Sequence, residues 1–185
     1  DKIIVYFSTC SIYDDSINLS EYVKHKVLME KIVESNCEQF HIFRLPQVVG
    51  VTNSPTLVNY LFMSIKNNIP LTINKNSTRN LIHVDDVVKI VSYLIDNKIY
   101  CQETTNIATP HNMMVLDIVL KIEEIMQIKA NYKLIEFGAK QNIDISKIQE
   151  LNMESDIFDV DYTDEIISKY YAQASAFYNI KNMTK

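Results

Sequence analysis

The order of apolar segments at the start of the chain constrains the fold most. After Lys2, the run to Phe7 is continuously apolar and rich in β-branched residues, which predicts a strand buried on both faces of a parallel sheet. Ser20 offers a cap to a helix over residues 20–35, and His41 to Leu45 is a second apolar strand that Pro46 stops. Two strands joined through a helix predict an α/β protein with a parallel sheet.

The same alternation continues through the rest of the chain. Helical spacing of apolar residues predicts helices over 56–67, Asp85–Asp96, Val115–Met126 and Asp164–Tyr171. Short apolar runs predict strands over Leu71–Ile73 and Tyr132–Ile135. The pattern therefore extends the α/β prediction to nearly the whole sequence.

The composition excludes several function classes. A formal net charge of −5 without a cluster of Lys and Arg argues against nucleic-acid binding. No apolar run approaches the ~20 residues of a membrane span. Three widely separated cysteines, Cys10, Cys37 and Cys101, form no C-x-x-C pair and fit a reducing, cytoplasmic compartment. The four histidines have no ligand spacing, so no metal site is predicted.

A group of three polar residues suggests proton transfer. Tyr22 and Lys26 are four residues apart, so they share one face of the predicted helix, and a cation beside a phenol favours its charged form. Thr9, at the carboxyl end of the first strand, could hydrogen-bond the same substrate oxygen. The Y-x-x-x-K spacing also occurs by chance in many helices, but the strand that ends in Ser8 and Thr9 favours a catalytic role.

Four sequence blocks carry a resemblance to a known family. They are VYFSTCSIYD, YVKHK, FRLPQVVG and RNLIHVDDVV, in this order within residues 2–135. Together they resemble the nucleotide-sugar epimerases and dehydratases of the extended short-chain dehydrogenase/reductase superfamily, which use NAD or NADP. The resemblance implies the C-terminal half of a Rossmann-like parallel sheet with a small α/β substrate-binding lobe. Residues 1–50 would belong to the Rossmann-like domain, and 51–185 mainly to the lobe, with about 80–110 returning to the sheet.

The resemblance also implies roles for individual residues. The catalytic residues would be Thr9, Tyr22 and Lys26, with Tyr22 as acid/base toward a sugar hydroxyl or ketone. Tyr22, Lys26 and Pro46 would contact the nicotinamide end of the cofactor. The nucleotide-diphosphate sugar would be bound by Gln47, Thr56, Leu57 and Arg79. Asn80 replaces the aspartate usual in the family, so the sequence does not identify an ion pair that orients Arg79.

Departures from the family pattern narrow the activity. The 4,6-dehydratases have an Asp-Glu pair directly after the threonine, whereas Cys10 and Ser11 follow Thr9 here. Without an acid to protonate a leaving hydroxyl, epimerisation or reduction of a keto-sugar is expected rather than dehydration. A Cys10 thiol near a cationic cofactor is a second acid/base candidate. A small side chain packed at a strand end is the favoured interpretation.

The largest departure is the near absence of glycine. Gly50 and Gly138 are the two glycines of the sequence, so the glycine-rich turn that holds a dinucleotide pyrophosphate is not within it. We expect this turn upstream of Asp1, in a longer protein. The chain would then be an inactive fragment of a sugar-nucleotide enzyme or, alternatively, a non-catalytic remnant with a binding or assembly role. The resemblance also implies a homodimer, formed through Val27, Leu28 and Ile32 or through helix 56–67.

Overall fold

The structure, a computed structural model, describes residues 2–17, 20–151 and 156–177. Its strands are β1 (Ile4–Thr9), β2 (Phe40–Leu45), β3 (Gln47–Val49), β4 (Leu71–Asn74), β5 (Thr78–His83), β6 (Glu103–Asn106), β7 (Asn112–Met114) and β8 (Tyr132–Ile135). Its α-helices are α1 (Glu21–Asn36), α2 (Leu57–Lys66), α3 (Val84–Asp96), α4 (Val115–Met126), α5 (Ser146–Glu150) and α6 (Tyr162–Phe177). Short 3₁₀ helices cover Cys10–Tyr13 and Asp156–Phe158.

The first sheet confirms the predicted α/β class. Strands β1, β2 and β6 lie side by side in that order, and both pairings are parallel. Thr9 lies opposite Leu45, so the last residues of β1 and β2 are neighbours at the carboxyl edge of the sheet. Ser20 caps α1 by accepting a hydrogen bond from the backbone N–H of Val23 at 3.3 Å, as the sequence predicts.

The prediction that β1 is buried on both faces is wrong. Among the described residues, β1 is an edge strand that pairs with β2 alone. Ile4 and Phe7 are each 45% exposed, and Val5 is also exposed, whereas Ser8 and Thr9 are buried. β1 therefore has the continuously apolar composition that is typical of a central strand, although it lies at the edge of the described sheet.

The chain leaves the first sheet at Pro46, which separates β2 from β3. β3 pairs in parallel with β5, and β5 pairs in antiparallel with β7. A third sheet consists of β4 and β8, which are parallel. Pro46 consequently marks the point where the backbone passes from one sheet to the next.

The large apolar core lies among the later helices and strands. It includes Phe43, Phe62 and Leu81, with contributions from α2, α3, α4 and α6. A second, small cluster of Val33, Phe40 and Ile42 lies under α1. No helix in the described ranges is long and apolar enough to cross a membrane.

Candidate functional site

Thr9 is fixed by the tight turn that follows β1. Its side chain is buried, and its Oγ1 accepts a hydrogen bond from the backbone N–H of Ser11 at 3.1 Å, which caps the 3₁₀ helix Cys10–Tyr13. This bond uses an acceptor site of the hydroxyl, so the O–H itself can still donate. The turn therefore holds a hydroxyl donor at the carboxyl end of β1.

Tyr22 and Lys26 lie side by side in the first half of α1. The Tyr22 side chain is 56% exposed, and the Lys26 Nζ lies 5.9 Å from the centre of its ring. The same ammonium donates a hydrogen bond to the carbonyl oxygen of Phe7 at 2.9 Å and lies 5.0 Å from the ring of Tyr6. Lys26 thus joins α1 to β1 two residues before Thr9, and brings the three predicted catalytic residues onto adjoining elements.

Pro46 and Gln47 follow the end of β2, close to Thr9 in the sheet. Leu45, the residue before Pro46, is the register partner of Thr9. Gln47 opens β3 opposite Leu81 of β5, and both Pro46 and Gln47 are half-buried. The two residues predicted to contact cofactor and sugar therefore lie where the first and second sheets meet.

Two of the predicted substrate residues line one cavity. Leu57, at the start of α2, and Arg79, in β5, border an open cavity of about 140 Å³ together with Tyr60 and Asn74. Thr56 is the N-cap residue of α2, although its side chain makes no capping hydrogen bond. The first turn of α2 and Arg79 therefore border a common space, and both carry N–H donors for an anion or carbonyl acceptor.

Arg79 has an ion-pair partner that the sequence did not identify. Its Nη1 lies 3.0 Å from Oδ2 of Asp14, a fully buried residue just after the turn Cys10–Tyr13. Asn80 cannot fill this role, because its buried amide bonds to the segment of Thr109 and Asn112. The D-x-S pattern of Asp14 and Ser16, typical of an Asx turn, was a signal for a fixed carboxylate.

A partly buried polar network connects the turn after Thr9 with α1. The guanidinium of Arg44 donates to both carboxylate oxygens of Glu30, at 2.9 and 2.6 Å, and to the hydroxyl of Tyr13 at 3.0 Å. Tyr13 in turn donates to Asn106 of β6 at 3.1 Å. Burial alone would lower the pKa of Arg44, but the hydrogen bonds and charge of Glu30 raise it above its usual range. Arg44 is therefore a fixed cation at the end of β2.

Cys10 and His83 are both buried and have structural contacts. Burial raises the pKa of the Cys10 thiol to about 12, although the charge of Arg44 acts in the opposite direction. His83 is buried at the end of β5, where its Nδ1 accepts a hydrogen bond from the backbone N–H of Asp85 at 3.2 Å and caps α3. In the described ranges, no three metal-ligating side chains form a group.

Comparison with known proteins identifies a family and a fold. The sequence model of the NAD dependent epimerase/dehydratase family matches residues 2–108, which is more than half of the chain. No curated protein matches the sequence.

Several solved structures have a similar backbone. UDP-glucuronic acid 4-epimerase from Bacillus cereus, in complex with UDP-glucuronic acid and NAD, has a TM-score of 0.71 at 24% identity, over 94% of this chain and 62% of its own. dTDP-glucose 4,6-dehydratase from Bacillus anthracis, in complex with NAD, has a TM-score of 0.71 at 15% identity. The match covers 93% of this chain and 62% of the dehydratase. UDP-glucose 4-epimerase from Thermotoga maritima, with UDP-glucose, has a TM-score of 0.71 at 19% identity. The match covers 94% of this chain and 64% of the epimerase.

The chain spans between 57% and 65% of the length of the solved structures with which it was compared. At these identities the likeness concerns the fold, and it confirms the predicted Rossmann-like α/β architecture.

Proposed function

Because the chain belongs to the NAD-dependent epimerase/dehydratase family, we propose that it carries the proton-transfer and substrate-binding part of a nucleotide-sugar epimerase or keto-sugar reductase. The observation that carries this proposal is the position of Lys26, which lies beside Tyr22 and bonds to β1 just before Thr9. Nucleotide-sugar epimerases solved with UDP-sugars share the fold, which supports the substrate class.

Each member of the group has a distinct chemical task. Tyr22 transfers a proton to or from the oxygen of the sugar carbon that is oxidised or reduced. Thr9 donates a hydrogen bond to the same oxygen from its fixed position at the end of β1. Lys26 provides a positive charge beside the phenol and holds α1 against β1.

The residues present fit one end of a dinucleotide cofactor. Bound NAD or NADP supplies a hydride acceptor or donor, and Tyr22, Lys26 and Pro46 would hold its nicotinamide end. The glycine-rich turn for the pyrophosphate is not in this sequence, since Gly50 follows β3 and Gly138 lies against Ser77. We therefore propose that this chain alone does not bind NAD(P) tightly.

A nucleotide-diphosphate sugar would extend from Gln47 toward the cavity at α2. Arg79 supplies paired N–H donors for the diphosphate, and the N-terminus of α2 at Thr56 and Leu57 supplies backbone donors for the nucleotide. At about 140 Å³, the cavity is smaller than the ~300–1,000 Å³ of typical ligand sites. It would hold only part of such a ligand, which fits a subsite within a larger cleft.

The chemistry after Thr9 favours epimerisation or reduction over dehydration. Cys10 is buried with its pKa raised to about 12, and Ser11 is a hydroxyl rather than a carboxyl group. Neither side chain can protonate a leaving hydroxyl efficiently at neutral pH, because an effective general acid has a pKa near the working pH.

A second candidate function is a non-catalytic binding or assembly module of a sugar-nucleotide pathway. The near absence of glycine favours this alternative, because the sequence lacks the turn that would bind the cofactor pyrophosphate. In this case Arg79 and the start of α2 would still bind a nucleotide-diphosphate sugar, but no conversion would follow.

The remaining proposals concern organisation. We assign residues 1–50 to a Rossmann-like domain and 51–185 mainly to the substrate lobe, with about 80–110 returning to the sheet.

A homodimer through α1 is supported by the exposed side chains of Leu28 and Ile32, whereas α2 is largely buried in the core. The three free cysteines support a reducing, cytoplasmic location.

The test is an NMR assay of the product of the complete reading frame with NAD and UDP-glucose or UDP-glucuronic acid. We expect inversion at one carbon of the sugar or, with a keto-sugar and NADH, its reduction. Calorimetry on the present chain supplies the second measurement, with binding expected for the UDP-sugar and none of micromolar affinity for NADH. Binding without conversion would favour the binding module, and neither binding nor conversion would contradict both candidates.

A further inference from the structure

We propose that Asp14 is the positioning residue of Arg79, the side chain that orients this arginine toward a ligand diphosphate. The inference rests on the proposed function, since it names what holds the diphosphate-binding guanidinium. Arg79 Nη1 lies 3.0 Å from Asp14 Oδ2, and the exposed fraction of the two side chains is 15% for Arg79 and 0% for Asp14. The pair is therefore largely shielded from solvent, where its charges interact more strongly than at the surface.

The carboxylate of Asp14 is itself held in place. Its Oδ1 accepts hydrogen bonds from the backbone N–H of Ser16 at 3.0 Å and from the Ser16 hydroxyl at 2.5 Å. Its backbone carbonyl accepts a hydrogen bond from the N–H of Ile17 at 3.0 Å. These local bonds fix one carboxylate oxygen in the loop, and the other oxygen is the one next to Arg79.

The burial of Asp14 requires a countercharge. An ionised carboxylate removed from water is costly unless it is paired, and Arg79 is the cation within ion-pair distance among the residues that the structure describes. The next residue, Asn80, is neutral, and its side-chain amide donates to Thr109 and Asn112 instead. Asp14 therefore supplies the negative charge that position 80 lacks.

The pairing leaves part of the guanidinium available. In the described ranges, both contacts of Arg79 use Nη1, which also donates to the carbonyl oxygen of Thr78 at 2.7 Å. The Nε and Nη2 groups keep their N–H donors for a second acceptor, and a phosphate accepts two parallel bonds from such a fork. Because Arg79 borders the cavity at Leu57, a diphosphate there would meet an arginine that is already oriented.

Asp14 also links substrate binding to the catalytic turn. It follows the 3₁₀ helix Cys10–Tyr13, whose start is capped by Thr9. One short loop consequently determines the positions of both the Thr9 hydroxyl and the Arg79 guanidinium.

The first test measures the ordering of Arg79 in the ligand-free chain. Side-chain NMR reports rotation of the Arg79 Nη groups, and Arg79→Lys assigns the signal. We expect slow rotation in the unsubstituted protein and faster rotation in Asp14→Asn. Asp96→Asn, at the exposed end of α3, is the matched control and should leave the signal unchanged. An unchanged signal in Asp14→Asn would overturn the positioning role without affecting the proposed function.

The second test compares affinities for UDP and uridine by calorimetry. We expect Asp14→Asn to weaken UDP binding by about tenfold, because the diphosphate then meets an arginine that is no longer held in one orientation, and to leave uridine binding unchanged. Ser16→Ala removes one hydrogen bond to the Asp14 carboxylate but keeps its charge. It should weaken UDP binding less than Asp14→Asn does, and it replaces Asp14→Asn in the test if that variant does not fold.

The outcomes separate the two proposals. An equal loss of UDP and uridine binding in Asp14→Asn would mean a purely structural role, and tighter UDP binding would mean that Asp14 competes with the diphosphate. Either result overturns the inference. If the unsubstituted chain bound UDP no better than uridine, the proposed function would fail, while the NMR measurement would still decide whether Asp14 orders Arg79.

Discussion

Glu30 of α1 accepts two hydrogen bonds from the guanidinium of Arg44 on β2, at 2.9 and 2.6 Å. The Glu30 side chain is 4% exposed. The buried residues of α1 are Val23, Glu30 and Val33, so this helix has few apolar anchors. The ion pair therefore adds a polar attachment between β2 and the helix that carries Tyr22 and Lys26.

The first prediction concerns the stability that this pair provides. Glu30→Gln leaves the partly buried guanidinium of Arg44 without its countercharge, and we expect a loss of about 3 kcal/mol in the free energy of unfolding, at the lower end of the range for buried pairs. Urea unfolding followed by circular dichroism measures it. Glu21→Gln is the matched control, because Glu21 forms an exposed pair with Lys24 and its loss should cost at most about 1 kcal/mol. Equal effects of the two substitutions would contradict the assignment.

The second prediction concerns pH. Burial alone would raise the pKa of the Glu30 carboxyl, but the hydrogen bonds and charge of Arg44 outweigh it and lower the pKa below 4.5. Because the folded-state pKa is the lower one, the stabilisation is fully present above pH 4.5 and is lost as the pH falls through the folded-state value. Urea unfolding from pH 6 down to pH 3 should show a steeper loss of stability in the unsubstituted chain than in Glu30→Gln. Parallel curves would exclude this contribution.

The third prediction distinguishes the cysteines by reactivity. With its pKa raised to about 12 by burial, the Cys10 thiol has almost no thiolate at pH 8. Iodoacetamide should therefore modify Cys37 and Cys101, which are partly exposed, and leave Cys10 unmodified in the folded protein. Mass spectrometry of peptides gives the sites. Cys10→Ala is the control and should show the same labelling of Cys37 and Cys101. Rapid modification of Cys10 in the unsubstituted protein would contradict the prediction and restore Cys10 as an acid/base candidate.

The fourth prediction concerns the end of α3. Lys98 has a left-handed backbone with φ of 53°, and Lys98 and Ile99 donate to the carbonyls of Ile95 and Leu94, as in a Schellman motif. Glycine adopts this conformation without the steric cost of a Cβ, so Lys98→Gly should stabilise the fold by about 0.5–1 kcal/mol. Thermal unfolding measures this change. Ser92→Gly, at an exposed position inside the same helix, should destabilise by about the same amount, and a loss in both variants would contradict the expectation.

The fifth prediction concerns the proposed mechanism. Tyr22→Phe removes the hydroxyl that transfers the proton, so turnover by the complete reading-frame product should fall by about 100-fold or more. Binding of a UDP-sugar, measured by calorimetry, should remain nearly unchanged because the residues proposed to contact the diphosphate, Arg79 and the start of α2, do not include Tyr22. Tyr93→Phe, on the exposed face of α3, is the control. Normal turnover in Tyr22→Phe would remove Tyr22 from the mechanism.

Strong local signals made much of the fold predictable. Ser20 before the periodic apolar positions of α1 identified the start of that helix, and Pro46 identified the end of β2. Periodicity was less reliable for the face that a helix buries: the sequence has adjacent valines at 87 and 88, and α3 buries Val87 and Val91 whereas Val88 is exposed. When two adjacent helical residues are both apolar, the sequence pattern does not show which residue points toward the core.

Polar strands and long-range pairs were not predictable. The residues of β6, Glu103 to Asn106, have no apolar alternation, and their strand forms through parallel pairing with β2. The Asp14–Arg79 pair joins residues far apart in sequence, and its existence depends on burial that composition does not encode. The proximity of Tyr22 and Lys26 was predictable, because it follows from helical spacing alone. The hydrogen bond from Lys26 to the Phe7 carbonyl was not, because it depends on how α1 packs on β1.

The exposed edge of β1 bears on the rigidity of the strand that ends in Thr9. The strand that ends in Thr9 is paired along one side only in the described ranges, and opening of such a strand costs less than opening of one enclosed by neighbours. A strand added along the free edge would cover Ile4 and Phe7 and at the same time stiffen the support of the Thr9 hydroxyl. Under the proposed function, docking of a neighbouring sheet on β1 would therefore also fix the position of the Thr9 hydroxyl.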